Sequence, residues 1–121
     1  MNPRGERGSA LVLASLLVLV LACIAAVLLL AGAIRAEGER VRGAADLAAL
    51  AGARAQGEGR EACVAAGESA ALNAVEVVAC RVTGDEVEFV VGVEVTGASS
   101  LPGTGPLQAR AFAGMVTGAP E

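Results

Sequence analysis

The sequence contains no histidine, lysine, tryptophan or tyrosine, and its only two aromatic residues are phenylalanines. Without histidine, neither Ser–His nor Cys–His catalytic pairs can form, and a common zinc ligand is missing. The glycine pairs Gly57/Gly59 and Gly103/Gly105 lack the full spacing of a phosphate-binding loop. We therefore expect a protein that is not an enzyme and that holds no metal or cofactor.

Basic residues are few and dispersed, and all nine of them are arginine. From Arg35 onward the chain carries seven arginines against twelve acidic residues, which leaves a net charge of −5. Neutralising the phosphates of a nucleic acid requires clustered basic side chains. The distribution therefore argues against nucleic-acid binding.

The apolar residues that are present are mainly Ala, Val and Leu. Burial is worth roughly 25 cal/mol per Å² of apolar surface, so small side chains contribute little each. A core built from them in a chain of 121 residues is thin. We expect such a domain to need a covalent cross-link or a partner.

One segment, Ser9–Ile34, is almost entirely apolar and carries no charge. As a helix at about 1.5 Å per residue it would extend ~39 Å, which exceeds the ~30 Å hydrocarbon core of a bilayer. A core helix of a small soluble protein would show a polar face, and this segment has none. We interpret residues 9–34 as a transmembrane helix and residues 1–8 as a cytoplasmic leader.

Two processing signals compete with a permanent anchor. Residues Ala31 to Ala33 fit a signal-peptidase site, although the apolar region of a signal peptide is usually only 7–15 residues long. Cleavage after Ala33 would release a small secreted binding domain, which is our alternative function. The stretch from Val20 to Cys23 resembles a lipoprotein box with a poor second position. A buried thiol in an apolar helix explains Cys23 more simply.

The region after the apolar segment predicts two further helical stretches. Residues 35–59 form a helical extension that is rich in alanine, and Gly57 and Gly59 break the pattern. A second helix is expected from Arg60 to about Leu72, with Asn73 as its stop signal.

From Val75 the pattern changes to that of β-strands. Apolar and polar residues alternate from Glu86 to Val95, which is typical of a half-buried strand. A partner strand is predicted over Glu76–Thr83, with a tight turn at Gly84-Asp85, and a third over Leu107–Ala113 after a loop. The sequence thus predicts an α+β fold: a long N-terminal transmembrane helix, a shorter helix and a small antiparallel sheet of about three strands, with residues 60–121 as the small α+β domain.

The second and third cysteines lie 17 positions apart, Cys63 in the predicted second helix and Cys80 in the first strand. A disulfide between them would be worth about 3 kcal/mol, and it would join helix to sheet. Two unrelated buried thiols are the alternative. Because disulfides persist in oxidising compartments, the pairing favours an extracytoplasmic domain. Basic flanks do not decide the orientation, with two arginines before the segment and three after it.

Asp46 stands out within the alanine-rich stretch. It lies one helical turn after Arg42, with which it can pair on a solvent-facing surface. The other interpretation makes Asp46 a candidate contact with a neighbouring subunit.

Several motifs, in order, resemble those of the TadE-like minor pilins or pseudopilins that accompany actinobacterial tight-adherence (Flp-type) pilus systems. Arg7-Gly-Ser-Ala10 heads the apolar helix, and Ala45-Asp-Leu-Ala-Ala-Leu-Ala51 follows it. The cysteine pair, a valine-rich strand and the end Ala109-Arg-Ala-Phe-Ala-Gly114 complete the likeness, which covers nearly the whole chain.

The resemblance implies a non-enzymatic, single-pass component of the cytoplasmic membrane, with its N-terminus inside and its C-terminal domain outside. Its implied partners are other pilin or pseudopilin subunits, the pilus assembly platform and membrane lipid. A prepilin peptidase would cut between Gly8 and Ser9. Many prepilins carry a glutamate five residues after the cut, where this chain has Leu13. An unprocessed, membrane-bound assembly factor is therefore the alternative within the same family.

Overall fold

The structure, a computed structural model, describes residues 3–116, with side chains from Glu6 onward. Its element order confirms the predicted α+β class: one long helix, one short helix and a three-stranded antiparallel sheet. The elements are α1 (Pro3–Gly57), α2 (Ala62–Leu72), β1 (Glu76–Gly84), β2 (Phe89–Gly97) and β3 (Leu107–Met115).

Helix α1 is continuous through both the apolar segment and the alanine-rich stretch. The chain nevertheless divides into two compact units, residues 1–35 and residues 36–121. The side chains of α1 that become buried begin at Val41 and recur every three or four residues, which is the period of one helix face. They are Val41, Ala44, Ala45, Ala48, Ala49 and Ala55. The stretch 35–59, expected as a helical extension, thus supplies part of the core.

Both helices end in the same hydrogen-bonded motif. After α1, the Arg60 N–H donates to the Ala55 carbonyl at 2.7 Å and the Gly59 N–H to that of Gln56 at 3.1 Å. Gly59 takes a φ of +75°, as the left-handed position of a Schellman motif requires. The predicted break at Gly57 and Gly59 is confirmed, and so is the stop at Asn73, the C-terminal cap of α2.

The sheet has the order β1-β2-β3, so β2 is central. Along β2, four large side chains (Phe89, Val91, Val93 and Val95) are buried on one face, and the intervening residues are half-buried on the other. The same core contains the buried residues of α1 and α2. Gly52 lets these elements approach, because a Cβ there would lie 3.0 Å from Val91 Cγ1 and 3.1 Å from the Ala62 carbonyl oxygen. Apart from Phe89, the buried side chains are valines and alanines, as the composition predicted.

The β1–β2 turn differs from the expected tight turn at Gly84-Asp85. Strand β2 begins at Phe89, three residues after the predicted start at Glu86. The Asp85 carboxylate accepts the N–H groups of Val87 at 2.8 Å and Glu88 at 2.7 Å. These bonds hold residues 85–88 as a loop, because a side-chain acceptor replaces the strand partner. Strand β3 also runs two residues further than predicted, to Met115.

Candidate functional site

The apolar half of α1 is the most distinctive surface of the molecule. Every large apolar side chain from Leu11 to Ile34 is exposed, with exposed fractions between 47% and 75%. A soluble core helix would bury such side chains. Of the residues that the structure describes, α1 is the one helix long and apolar enough to cross a membrane, judged by length and composition. Cys23, a free thiol, is also exposed there.

The candidate leader cleavage site lies within this helix. Gly8 and Ser9 are both helical and exposed, and an added Cβ at Gly8 would meet no atom within 4 Å. Leu13, at the position where many prepilins have glutamate, is 63% exposed. Cleavage between Gly8 and Ser9 stays a prediction.

Cys63 and Cys80 form the expected disulfide, with their Cα atoms 5.8 Å apart. Cys63 lies on α2, and Cys80 lies on β1 opposite Val93 of β2. Both cysteines are half-buried, and Cys80 packs against the core. The bond therefore attaches the short helix to an edge strand of the sheet, where few large apolar side chains are available to hold it.

Asp46 is exposed on α1, and within residues 3–116 it makes no ion pair with Arg42. Two large apolar side chains flank it on the outward side of the helix, Leu47 at 50% exposure and Leu50 at 53%. We call Asp46, Leu47 and Leu50 the outer α1 strip. Exposed leucines beside a carboxylate favour the interpretation of Asp46 as a subunit contact, which stays a prediction.

The two leucines of the outer α1 strip were not predicted from the sequence as a surface feature. Amphipathic helices usually turn their large apolar residues inward. Here the inward positions of α1 hold alanines, because the space beside the sheet is filled by the valines of β2. The helical repeat of about 3.6 residues could have indicated this arrangement. It places four alanines on one face of α1 and leaves Leu47 and Leu50 outside that face; the alanines are Ala44, Ala45, Ala48 and Ala49.

A second feature missed from sequence connects α1 to the β2–β3 loop. The Ser100 hydroxyl donates to the Glu37 carboxylate, and Arg40 Nη2 donates to the Ala98 carbonyl at 3.1 Å. The Ser100 bond lowers the pKa of Glu37, partial desolvation opposes it, and Arg40, 3.3 Å from the same carboxylate, lowers the pKa further. Arg40 and Ala98 are 58 positions apart in the sequence, and Glu37 and Ser100 are 63 apart. No local sequence pattern could therefore indicate this contact.

The sheet face turned away from the helices carries a small aromatic and ionic cluster. Phe112 of β3 is 71% exposed and lies over Gly92 of β2, where an added Cβ would be 2.9 Å from the ring. Beside it, Arg110 Nε donates to Glu94 Oε2 at 3.1 Å. These groups, with Arg81 of β1, line a shallow open depression. It is too open to enclose a small molecule.

Within the described residues 3–116, the side chains that could ligate a metal ion are not grouped together. No group of three or more Cys, Asp or Glu side chains in this part of the chain could hold a metal ion. The acidic side chains near the end of α1 are exposed, and Glu58 is paired with Arg60. Comparison of the chain with family models, with curated proteins and with solved structures gives no match.

Proposed function

We propose that the chain is a membrane-anchored structural or assembly component, a minor pilin or pseudopilin, of a Tad/Flp-type pilus or a related secretion system. The observation that supports this most is the make-up of α1. One helix contributes an exposed apolar segment of membrane-spanning length and, from Val41 onward, core residues of a disulfide-linked domain.

The proposed location is the cytoplasmic membrane, with the N-terminus inside and the α+β domain outside. The disulfide supports this placement, because such bonds persist in oxidising compartments. A prepilin peptidase acts between Gly8 and Ser9 in the processed form. Neighbouring pilin or pseudopilin subunits, the assembly platform and lipid are the partners.

The outer α1 strip supplies the subunit contact in this proposal. Leu47 and Leu50 are half-exposed, and Asp46, also exposed, lies one residue before Leu47 and one helical turn before Leu50. Apolar side chains that remain exposed on a folded domain gain stability when a partner covers them. A subunit that lines up its own α1 beside this strip would bury both leucines and give Asp46 a partner.

Intact mass of the membrane-extracted protein, with free thiols alkylated and no reductant present, tests the anchor and the processing. We expect a mass that begins at Ser9 and carries one alkyl group, on Cys23. A full-length mass with the disulfide intact identifies the unprocessed assembly factor. A three-fold alkylated protein contradicts the extracytoplasmic placement.

The alternative, a secreted binding domain, has one observation in its favour. All buried residues described for the α+β domain lie at Val41 or later, so cleavage after Ala33 would leave its core complete. The same mass measurement distinguishes the two functions. A soluble form that begins at Ile34 would select the secreted domain and overturn the anchor.

Piliation tests the structural role in a host that makes such pili. We expect a deletion strain to lose pili or assemble fewer, and Leu50→Glu to fail to restore them although the variant inserts in the membrane and keeps its disulfide. Leu72→Glu is the matched control, because Leu72 is 88% exposed at the end of α2 and lies outside the strip. Normal piliation in the deletion strain would refute the proposal.

A further inference from the structure

We infer that a second copy of this chain pairs its β3 with β3 of the first, antiparallel and centred on Ala111, to form a continuous six-stranded sheet. This surface lies on a different element from the outer α1 strip. The inference rests on the α+β domain and needs neither the membrane segment nor a pilus.

Strand β3 has an open edge. It pairs with β2 over all nine positions from Leu107 to Met115, without a register shift. Within residues 3–116 no strand lies along its other side. Alternate backbone N–H and C=O groups of an edge strand point away from its neighbour and can pair with another chain.

The other edge of the sheet is less suitable. Strand β1 changes register between Val77 and Ala79, which leaves Val78 as a bulge. A bulge twists an edge and interrupts the row of backbone groups, and natural sheets use it to prevent pairing. Strand β3 has no bulge, no proline and no lysine. Its one charged residue, Arg110, is bonded to Glu94 of the neighbouring strand β2.

The side chains of β3 are incompletely covered on both faces of the sheet. On the helix side Ala111 is buried, whereas Leu107, Ala109 and Ala113 are only partly buried against the core. On the other side Phe112 is 71% exposed. A strand added beside β3 would cover apolar atoms on both faces, and burial of such atoms is the main driving force for association.

The sequence of β3 is complementary to itself in one register. Ala111 is the midpoint of Leu107–Met115, so antiparallel pairing about it uses the full strand. Each Arg110 then lies opposite Phe112 of the other copy, where a guanidinium and an aromatic ring attract. Ala109 faces Ala113 and Leu107 faces Met115, and no like charges are opposed. Centring on Arg110 would instead place two arginines together.

Cross-linking of the full chain in detergent tests the register, with Cys23→Ser as background so that no free thiol is left. Arg110→Cys and Phe112→Cys chains, tagged differently, are treated with a mild oxidant that forms disulfides, alone and mixed, because a disulfide forms only between cysteines whose Cβ atoms are close. Directly opposed residues have Cβ atoms about 4.5–5.5 Å apart. We expect at least ten times more cross-linked product in the mixture than in either chain alone. The pair Arg110→Cys and Thr83→Cys is the control and should give no more product than Arg110→Cys alone.

A charge on the open edge tests the association itself. Phe112→Lys would oppose Arg110 of the other copy. Because Phe112 is 71% exposed, we expect the variant to keep its fold, which circular dichroism checks. Thr83→Lys, on the same sheet face of β1, is the matched control. We expect the dimer dissociation constant to rise at least ten-fold for the first variant and to stay unchanged for the second. Any one of three results would overturn the inference. They are an unchanged dimer dissociation constant for Phe112→Lys, the absence of cross-linked product in the mixture, and more product from Phe112→Cys alone than from the mixture.

Discussion

At the scale of single residues, Ala74 occupies a position that usually belongs to glycine. After α2 the Val75 N–H donates to the Ala70 carbonyl at 3.0 Å and the Ala74 N–H to that of Ala71 at 3.2 Å. This is the same motif that ends α1, and Ala74 has the corresponding left-handed φ of +56°. A residue with a Cβ pays about 1 kcal/mol for this conformation. The motif persists because Val75, which follows, is buried in the core.

We predict that Ala74→Gly raises the free energy of unfolding by about 1 kcal/mol, because glycine adopts a positive φ without steric cost. Gly59→Ala, at the equivalent position after α1, should lower it by a similar amount. An added Cβ at Gly59 meets no atom within 4 Å, so the comparison isolates the backbone effect. Thermal unfolding followed by circular dichroism measures both, and shifts of the same sign would contradict the prediction.

The stability of the folded domain depends on pH through Glu37. Its pKa in the folded domain lies below the ordinary value of 4.5, mainly because the Ser100 hydroxyl donates to the ionised form. The ionised carboxylate therefore stabilises the folded domain above pH 4.5. That contribution is lost as the pH falls through the depressed pKa.

We predict that Ser100→Ala raises the pKa of Glu37 toward its ordinary value, as measured by carboxyl NMR titration. Ser99→Ala is the control, since Ser99 bonds to Leu101 and Thr104 and not to Glu37. A pKa of Glu37 that does not respond to the loss of the Ser100 hydroxyl would show that the loop contact has no part in the shift.

At the scale of elements, α2 is a short helix without a side-chain cap at its N-terminus. Its buried face consists of Ala62, Ala66 and Ala70. Alanines bury little area each, so their contact with the sheet is weak. The disulfide from Cys63 to Cys80 offsets this by limiting the freedom of the unfolded chain.

We predict that Cys63→Ala combined with Cys80→Ala lowers the free energy of unfolding by about 3 kcal/mol, the value for closing a loop of this size. Cys23→Ser is the control and should leave the unfolding transition of the α+β domain unchanged. Chemical denaturation of the full chain in detergent provides the measurement. If the double variant lost no more unfolding free energy than the Cys23→Ser control, the disulfide would have no stabilising role.

At the scale of the whole molecule, the boundary of the folded domain lies within α1. The unit that contains the sheet begins at Ala36. Six of the fifteen buried apolar residues in the described part of the chain belong to α1, from Val41 to Ala55. A domain cut at the turn after α1 would lose this whole layer.

We predict that a chain of residues 36–121, oxidised, folds on its own, whereas residues 60–121 do not. The shorter chain lacks the helix layer over β2, and small domains have little stability to spare. Amide hydrogen exchange distinguishes them, because β2 should be protected only in the longer chain. Equal protection of β2 in both chains would refute the assignment of residues 36–57 to the core.

Features that depend on neighbours along the chain were predictable from sequence. The uncharged stretch from Ser9 to Ile34, the helix stop at Asn73 and the alternation along β2 each follow from local composition or period. The cysteine pairing was predictable as the favoured of two alternatives, since a cross-link from the predicted helix to the predicted strand would stabilise a thin core.

Contacts between distant parts of the chain were decided by the tertiary structure alone. Packing against a valine-rich sheet selected the alanines of α1 for the core and left Leu47 and Leu50 exposed, although hydrophobicity by itself favours burying the leucines. The bond from Glu37 to Ser100 joins residues 63 positions apart. The open edge of β3 exists only because β2 occupies its other side. Sequence period describes one element at a time, whereas burial and edge exposure depend on which elements meet.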